Sequence, residues 1–115
     1  MVMGELTQET ELLVIGGGPG GYAAAFRAAD LGLDVTMLDE SPNPGGACLF
    51  RGCIPSKTLL FVSELMYDAA RAHEMGIVFA RPQVDLNQLR SWKNQVVEKL
   101  AGGLTSLANQ RGVQI

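Results

Sequence analysis

A chain of 115 residues with 47% hydrophobic and 18% charged residues has the composition of one globular domain at most, and not of a disordered segment. Its net charge is −3, with nine Lys and Arg scattered along the length, which excludes the basic stripe of a nucleic-acid binder; no apolar run nears the roughly 18 residues that span a bilayer. The opening MVMGELTQETELL carries acids where a secretory signal needs a basic patch before its apolar core, so a cytoplasmic location with no membrane partner is expected.

The first expected element is Leu-Leu-Val-Ile at 12–15, a short apolar run ending in glycines that reads as a strand buried on both faces. Residues 22–31, YAAAFRAADL, are alanine-rich and helix-favouring, and Gly32 is a natural stop. Residues 34–38, DVTML, read as a second strand, which completes one βαβ unit. Between strand and helix stands GGGPGG. It holds Gly-x-Gly-x-x-Gly at Gly16, Gly18 and Gly21, with Pro19 and Gly20 inside it. In such a turn the first glycine permits a tight exit from the strand, the second lets backbone approach a pyrophosphate, and the third lets the helix pack close to the strand. Free N–H groups and the helix dipole then hold the phosphates.

A glycine turn that merely joins strand to helix is the alternative. Dinucleotide binding is favoured by context: a buried-strand run before the turn, a helix after it, and Asp39 at the end of the second strand, 18 residues past Gly21. A carboxylate there accepts from a ribose 2′-hydroxyl, with Glu40 as the second candidate. An acid at this place disfavours a 2′-phosphorylated cofactor, and the pattern does not separate NAD from the adenosine half of FAD.

A loop containing Pro42, Pro44, Gly45 and Gly46 follows. From about Leu49 to Glu74 the pattern is helical, with Leu59, Val62, Leu65, Met66 and Ala69 on one face, ending near Gly76. Ile77–Phe79 is expected as a short strand. A second amphipathic helix starts at Asp85, its N-cap, and carries the stripe Leu86, Leu89, Trp92, Val96, Leu100, Leu104 and Leu107, with Gly102-Gly103 as a place to kink. Val113-Gln114-Ile115 reads as a strand just starting. Two strands and a stub amount to part of a doubly wound parallel sheet, so a truncated α/β domain is expected.

Both cysteines, Cys48 and Cys53, lie in GGACLFRGCIPSK. Zinc motifs bring a second ligand pair elsewhere, and nothing pairs with His73, so no metal site is expected. Two inert buried thiols are one reading. A disulfide needs Cα atoms within about 7 Å, which positions five apart in a regular helix exceed. It therefore needs a distorted first turn, for which Gly52 supplies backbone freedom. A thiolate near a helix start is also stabilised by the dipole. Both points favour a reactive pair.

From about Leu12 to its last residue, through GGGPGG, the acid at 39 and GGACLFRGCIPSK, the chain resembles the N-terminal FAD-binding region of the class I pyridine nucleotide-disulphide oxidoreductases. Its Cys-Ile-Pro-Ser-Lys wording is most similar to the dihydrolipoamide dehydrogenases. The resemblance implies a partial Rossmann-like FAD-binding domain with a redox-disulfide helix and a further amphipathic helix. It implies FAD held by Gly16, Gly18, Pro19, Gly20, Gly21, Asp39 or Glu40, Gly46 and Ala47, with the flavin against a Cys48–Cys53 disulfide. Cys53 would face the flavin and Cys48 would exchange with substrate through a mixed disulfide. Lys57 would stand near the flavin N5 edge, where a cation stabilises reduced flavin; a solvated helix lysine is the plain alternative. Three departures stand out: Ala47 where the family often has threonine, Asp39 where it usually has glutamate, and Phe50-Arg51 where Asn-Val is commoner.

The resemblance also implies that residues 1–115 are an incomplete first part of an FAD-binding domain, with NAD-binding and dimerisation domains absent. The whole protein would be a homodimer passing electrons between a lipoyl-type dithiol or disulfide, Cys48–Cys53, FAD and NAD. The family's His-Glu pair comes from the partner subunit, and His73 does not match it. The chain alone is therefore expected to be inactive. Two alternatives are kept: another member such as a mercuric or glutathione-type reductase, and a non-catalytic truncated module that self-associates through Leu86, Trp92, Val96 and Leu100.

Overall fold

The computed structural model describes residues 7–115, so the reading of residues 1–6 against a secretory signal lies outside the described residues. The chain forms two compact units: one runs to Gly46 and resumes over Gly103–Ile115, and the other is Ala47–Gly102.

In the first unit, β1 (Leu12–Ile15) and β2 (Val35–Leu38) pair in parallel, Leu12 opposite Val35 and Ile15 opposite Leu38. Between them runs α1 (Pro19–Asp30), three residues earlier at its start than the alanine run suggests, because Pro19 suits a first helical position. Gly32, with a left-handed φ of 92°, ends it as expected: its N–H donates to Ala29 and that of Leu33 to Ala28. Gln114 flanks the other edge of β2, donating to Val35 O at 3.0 Å and accepting from Met37 N–H at 2.7 Å. The strand expected at 113–115 is thus present as one parallel bridge. A third strand beside the second, and the second beside the first, is the order of half a doubly wound sheet.

Ala25 and Ala28 of α1, Val35 and Met37 of β2, Ala108 and Val113 form the buried core of this unit. The alanines let the helix backbone approach the sheet closely. Arg111 fastens the chain's end to α1, pairing with Asp30 at 3.0 Å and stacking over Phe26 at 5.3 Å. The expectation that β1 is buried on both faces is corrected: Leu13, Leu38 and Ile15, the last 79% exposed, lie on an open face. Strand side chains alternate, and among the described residues only the opposite face is covered.

In the second unit the expected single helix from Leu49 to Glu74 is two. Helix α2 (Gly46–Arg51) breaks at Gly52, α3 (Cys53–Arg71) follows, and a 3₁₀ turn over Ala72–Met75 ends at Gly76. Ile77–Phe79 forms no strand: no described segment offers it a ladder, and Val78 is 84% exposed. Asp85 caps α4 (Leu86–Gln110) as expected, Oδ1 accepting from Asn87 N–H at 2.9 Å and Gln88 N–H at 3.1 Å. That helix is unbroken through Gly102-Gly103. Burial here is thin: Leu49, Thr58, Ala72, Val97 and Ala101. Phe61 meets Trp92 at 6.4 Å, and with Ile54, Lys57, Val96 and Leu100 they line an apolar groove of about 350 Å³. No helix of the described residues is long and apolar enough to cross a membrane.

Candidate functional site

The glycine turn is assembled in the first unit. Gly16 has φ of 101°, left-handed backbone that only glycine adopts readily, and its N–H donates to Leu38 O at 2.8 Å. A Cβ on Gly21 would overlap the carbonyl oxygen of Gly16, so the third glycine is demanded by the close approach of α1 to the end of β1. A Cβ on Gly18 would meet only Gly46 Cα at 3.9 Å, which leaves room beside the second glycine. Pro19 takes the first helical position, and no side chain caps α1. The N–H groups of Gly20 and Gly21 are therefore placed for an anion at a helix start. Such a cradle fits the pyrophosphate of a dinucleotide.

Asp39 joins this turn. Its Oδ2 accepts from Gly17 N–H at 2.5 Å and its Oδ1 from Ser41 N–H at 2.7 Å. Those two N–H groups, that of Ser41 first, hold its carboxyl below the usual carboxylate range. Glu40 is exposed and makes no bond to the turn among the described residues. Gly45 N–H donates to Gly17 O at 2.7 Å, and Gly46, at φ of 61°, packs on Gly18 so closely that a Cβ would come within 2.6 Å of Gly18 Cα. Gly17, Ser41 and Gly45 were missed by the spacing rule, which leaves position 17 unspecified; the unbroken GGG run was the available signal.

The cysteines belong to the second unit. Cys48 in α2 and Cys53 at the start of α3 form a disulfide with Cα atoms 4.7 Å apart. Gly52, at the break between the helices, has φ of −130°, so it is not needed for left-handed backbone. A Cβ there would come within 3.2 Å of Ala47 O and 3.6 Å of Cys48 Cα. Any larger residue would have to push the Ala47 carbonyl back by a few tenths of an ångström, because α2 and α3 crowd together where the disulfide joins them. Helix α3 then propagates from Ser56 N–H to Gly52 O at 3.0 Å. Pro55 is tolerated in this first turn, where its missing N–H costs no bond. Buried Thr58 is satisfied by Ile54 O at 2.8 Å.

Cys48 is half-buried, whereas Ala47, Cys53 and Lys57 are exposed. Lys57 lies four residues after Cys53, on the same face of α3. The distorted turn expected at Gly52 thus takes the form of a break between two helices, and that break brings the sulfurs together. Chemically the arrangement offers a two-electron couple at a helix start with a cation one turn along. His73 is remote from this role on its own element, exposed, with Nδ1 2.8 Å from Ala70 O.

Comparison with known proteins agrees with this reading. A family model described as pyridine nucleotide-disulphide oxidoreductase matches residues 10–115. Dihydrolipoyl dehydrogenase 2 of Haloarcula marismortui is 51% identical over 115 residues, covering 100% of this chain and 24% of that protein. Dihydrolipoyl dehydrogenase of Buchnera aphidicola is 44% identical over 106 residues, 92% of this chain and 22% of that protein. The crystal structure of LpdA from Mycobacterium tuberculosis superposes with a TM-score of 0.78 at 31% identity, covering 89% of this chain and 22% of that one. The chain spans about a quarter of the length of the curated relatives it matches. The turn, the disulfide and a family match over residues 10–115 together establish that this chain belongs to the pyridine nucleotide-disulphide oxidoreductase family.

Proposed function

We propose that these 115 residues are the first part of the FAD-binding domain of a dihydrolipoyl dehydrogenase-like flavoenzyme, with no nicotinamide-binding or dimerisation domain among them. The observation that carries the reading is the Cys48–Cys53 disulfide across the α2–α3 break, with Lys57 one turn on, in a chain that also holds the Gly16–Gly21 turn. Gly16, Gly18, Pro19, Gly20 and Gly21 would take the cofactor's phosphates, Asp39 its ribose, and Gly46, Ala47, Cys48, Cys53 and Lys57 the remainder. FAD, when bound, supplies the means to carry two electrons between the disulfide and NAD.

The chain's own chemistry is thiol–disulfide exchange. A thiolate of a lipoyl-type dithiol attacks Cys48 Sγ; the bond between the two cysteine sulfurs breaks and Cys53 leaves as a thiolate. The second substrate thiolate then attacks the substrate sulfur bound to Cys48, closing the substrate disulfide and releasing Cys48. Two electrons now reside on the cysteine pair. The dipole at the start of α3 and the charge of Lys57 favour Cys53 as the thiolate. Substrate deprotonation falls to a base outside these residues, so the 115-residue chain alone is expected to be inactive with NADH, and the full enzyme to be a cytoplasmic homodimer. The dihydrolipoyl dehydrogenase relatives support a lipoyl substrate over a mercuric or glutathione-type one. The test is the gene's whole product loaded with FAD. Bleaching of the flavin by dihydrolipoamide is expected, and a flavin untouched by excess dithiol overturns the proposal.

A second reading, self-association of the chain, is favoured by the exposure of Leu86, Trp92 and Leu100 on α4. Light scattering decides it, since a strictly monomeric chain removes it.

A further inference from the structure

Gly17 is buried, and a buried backbone N–H and C=O both need partners. Its carbonyl accepts from Gly45 N–H at 2.7 Å, and its N–H donates to Asp39 Oδ2 at 2.5 Å. The other oxygen of Asp39 takes Ser41 N–H at 2.7 Å. One carboxylate thus ties the exit of β1 to the end of β2 and to the loop that follows it. The reason for glycine at position 17 lies in the same contact. Gly17 is not among the positive-φ glycines, so a left-handed backbone is not what calls for glycine there. A Cβ there would instead stand 2.9 Å from Asp39 Oδ2 and 3.3 Å from its Cγ.

We propose that Asp39 is a positioning residue that fastens the phosphate turn in its binding shape before a dinucleotide arrives, and that Gly17 is glycine to leave room for it. Aspartate, one methylene shorter than glutamate, keeps its carboxylate against the turn. An ionised carboxylate has about four lone-pair positions, and the two N–H groups occupy two. Each oxygen keeps one for a ribose hydroxyl, so clamping and ribose recognition are compatible. The clamp stands on ligand-free geometry; only its bearing on nucleotide affinity rests on the cofactor reading above.

The test begins with the unsubstituted, isotope-labelled chain without ligand. NMR is expected to show a scalar coupling across the hydrogen bond from the Gly17 amide nitrogen to the Asp39 carboxyl carbon, and its absence with a rapidly exchanging Gly17 amide overturns the proposal. In Asp39→Ala the Gly17 and Ser41 amides are expected to exchange about tenfold faster or more, while the β1–β2 amides keep their rates; unchanged exchange at Gly17 overturns it. Should Asp39→Ala fail to fold, Asp39→Asn, which retains one acceptor oxygen, is expected to keep only part of the protection; full protection of both amides counts against the clamp. Gly17→Ala is then placed in both backgrounds with ADP as the calorimetric probe. A loss of affinity of about tenfold with Asp39 present and much less with Asp39→Ala is expected, because the steric conflict is with that side chain; equal losses overturn it. Coupling present with no ADP binding supports the clamp and removes the dinucleotide reading.

Discussion

Replacing Gly21 by alanine sets a methyl group where the carbonyl oxygen of Gly16 stands, with Val14 Cγ1 a further neighbour at 3.5 Å. Neither partner yields easily. Gly16 belongs to the turn whose N–H is bonded to Leu38 O at 2.8 Å, and α1 carries the buried Ala25 and Ala28 of the core. Relief therefore means lifting the start of α1 off β1 or breaking the turn. Inserting a methyl group into a packed interior costs about 1–3 kcal/mol where side chains can adjust; because the obstacle here is backbone, a cost of about 3 kcal/mol or more is expected. For a chain of this size that lowers the melting temperature by roughly 12–20 °C.

Gly20 is the internal control. It lies in the same helix turn, yet a Cβ there would meet nothing within 4 Å. Gly20→Ala removes unfolded-state freedom and is expected to stabilise by up to about 0.5–1 kcal/mol. The assay is thermal and urea unfolding of both variants by far-ultraviolet circular dichroism, without ligand. Opposite signs are the expected result. A Gly21→Ala protein within about 1 kcal/mol of the parent refutes the close approach of α1 to Gly16 and with it the cradle.

Three further outcomes are expected. Asp85→Ala removes the acceptor of two N–H groups at the start of α4 and should cost about 1 kcal/mol in urea unfolding, with Asp85→Ser recovering most of it. Thiol titration should find no free thiol before reduction and two after it; the short span between the cysteines limits the stability lost through the unfolded chain's regained entropy on reduction to about 2 kcal/mol. Asp39 ionises more readily in the folded chain than in the unfolded one, because Ser41 and Gly17 N–H favour the charged form. Its contribution is therefore complete above the ordinary value of about 3.9 and is lost as pH falls through the depressed one. The stability gap between the parent and Asp39→Asn should close on acidification below about pH 4, and a gap that persists unchanged there counts against an ionised Asp39.

What was legible from the residues is what local rules decide. Leu12–Ile15, the stop at Gly32 and the cap at Asp85 follow from apolar runs, left-handed glycine and side-chain capping, and each stands where those rules place it. What was not legible depends on a neighbour distant in sequence. Leu-Leu-Val-Ile reads the same whether one face or two are covered, so the openness of Leu13 and Ile15 had no signature. Ile77–Phe79 has strand composition, but a strand exists only beside a partner, and none of the described segments supplies one. The spacing of Cys48 and Cys53 calls for a distorted turn at Gly52; its form, two helices meeting at a disulfide, depends on how closely Ala47 and Gly52 approach.

The six-residue string GGGPGG shows why a pattern of glycines underspecifies a site. Gly16 is glycine for its backbone angle, Gly21 for the carbonyl it nearly touches, and Gly17 for a carboxylate 22 residues away in sequence. Gly20 meets none of these demands in the ligand-free chain. Identical letters therefore carry different penalties: a conformational one at 16, a backbone clash at 21, and at 17 a conflict that a second substitution at Asp39 relieves. The spacing rule ranks 16, 18 and 21 together and ignores 17. The geometry reorders them, placing Gly21 and Gly17 under steric demand and leaving Gly18 beside open space. Alanine at 18 should therefore leave stability nearly unchanged and act on phosphate affinity alone, because the only neighbour its methyl would find in the ligand-free chain is Gly46 Cα, at an ordinary van der Waals distance of 3.9 Å.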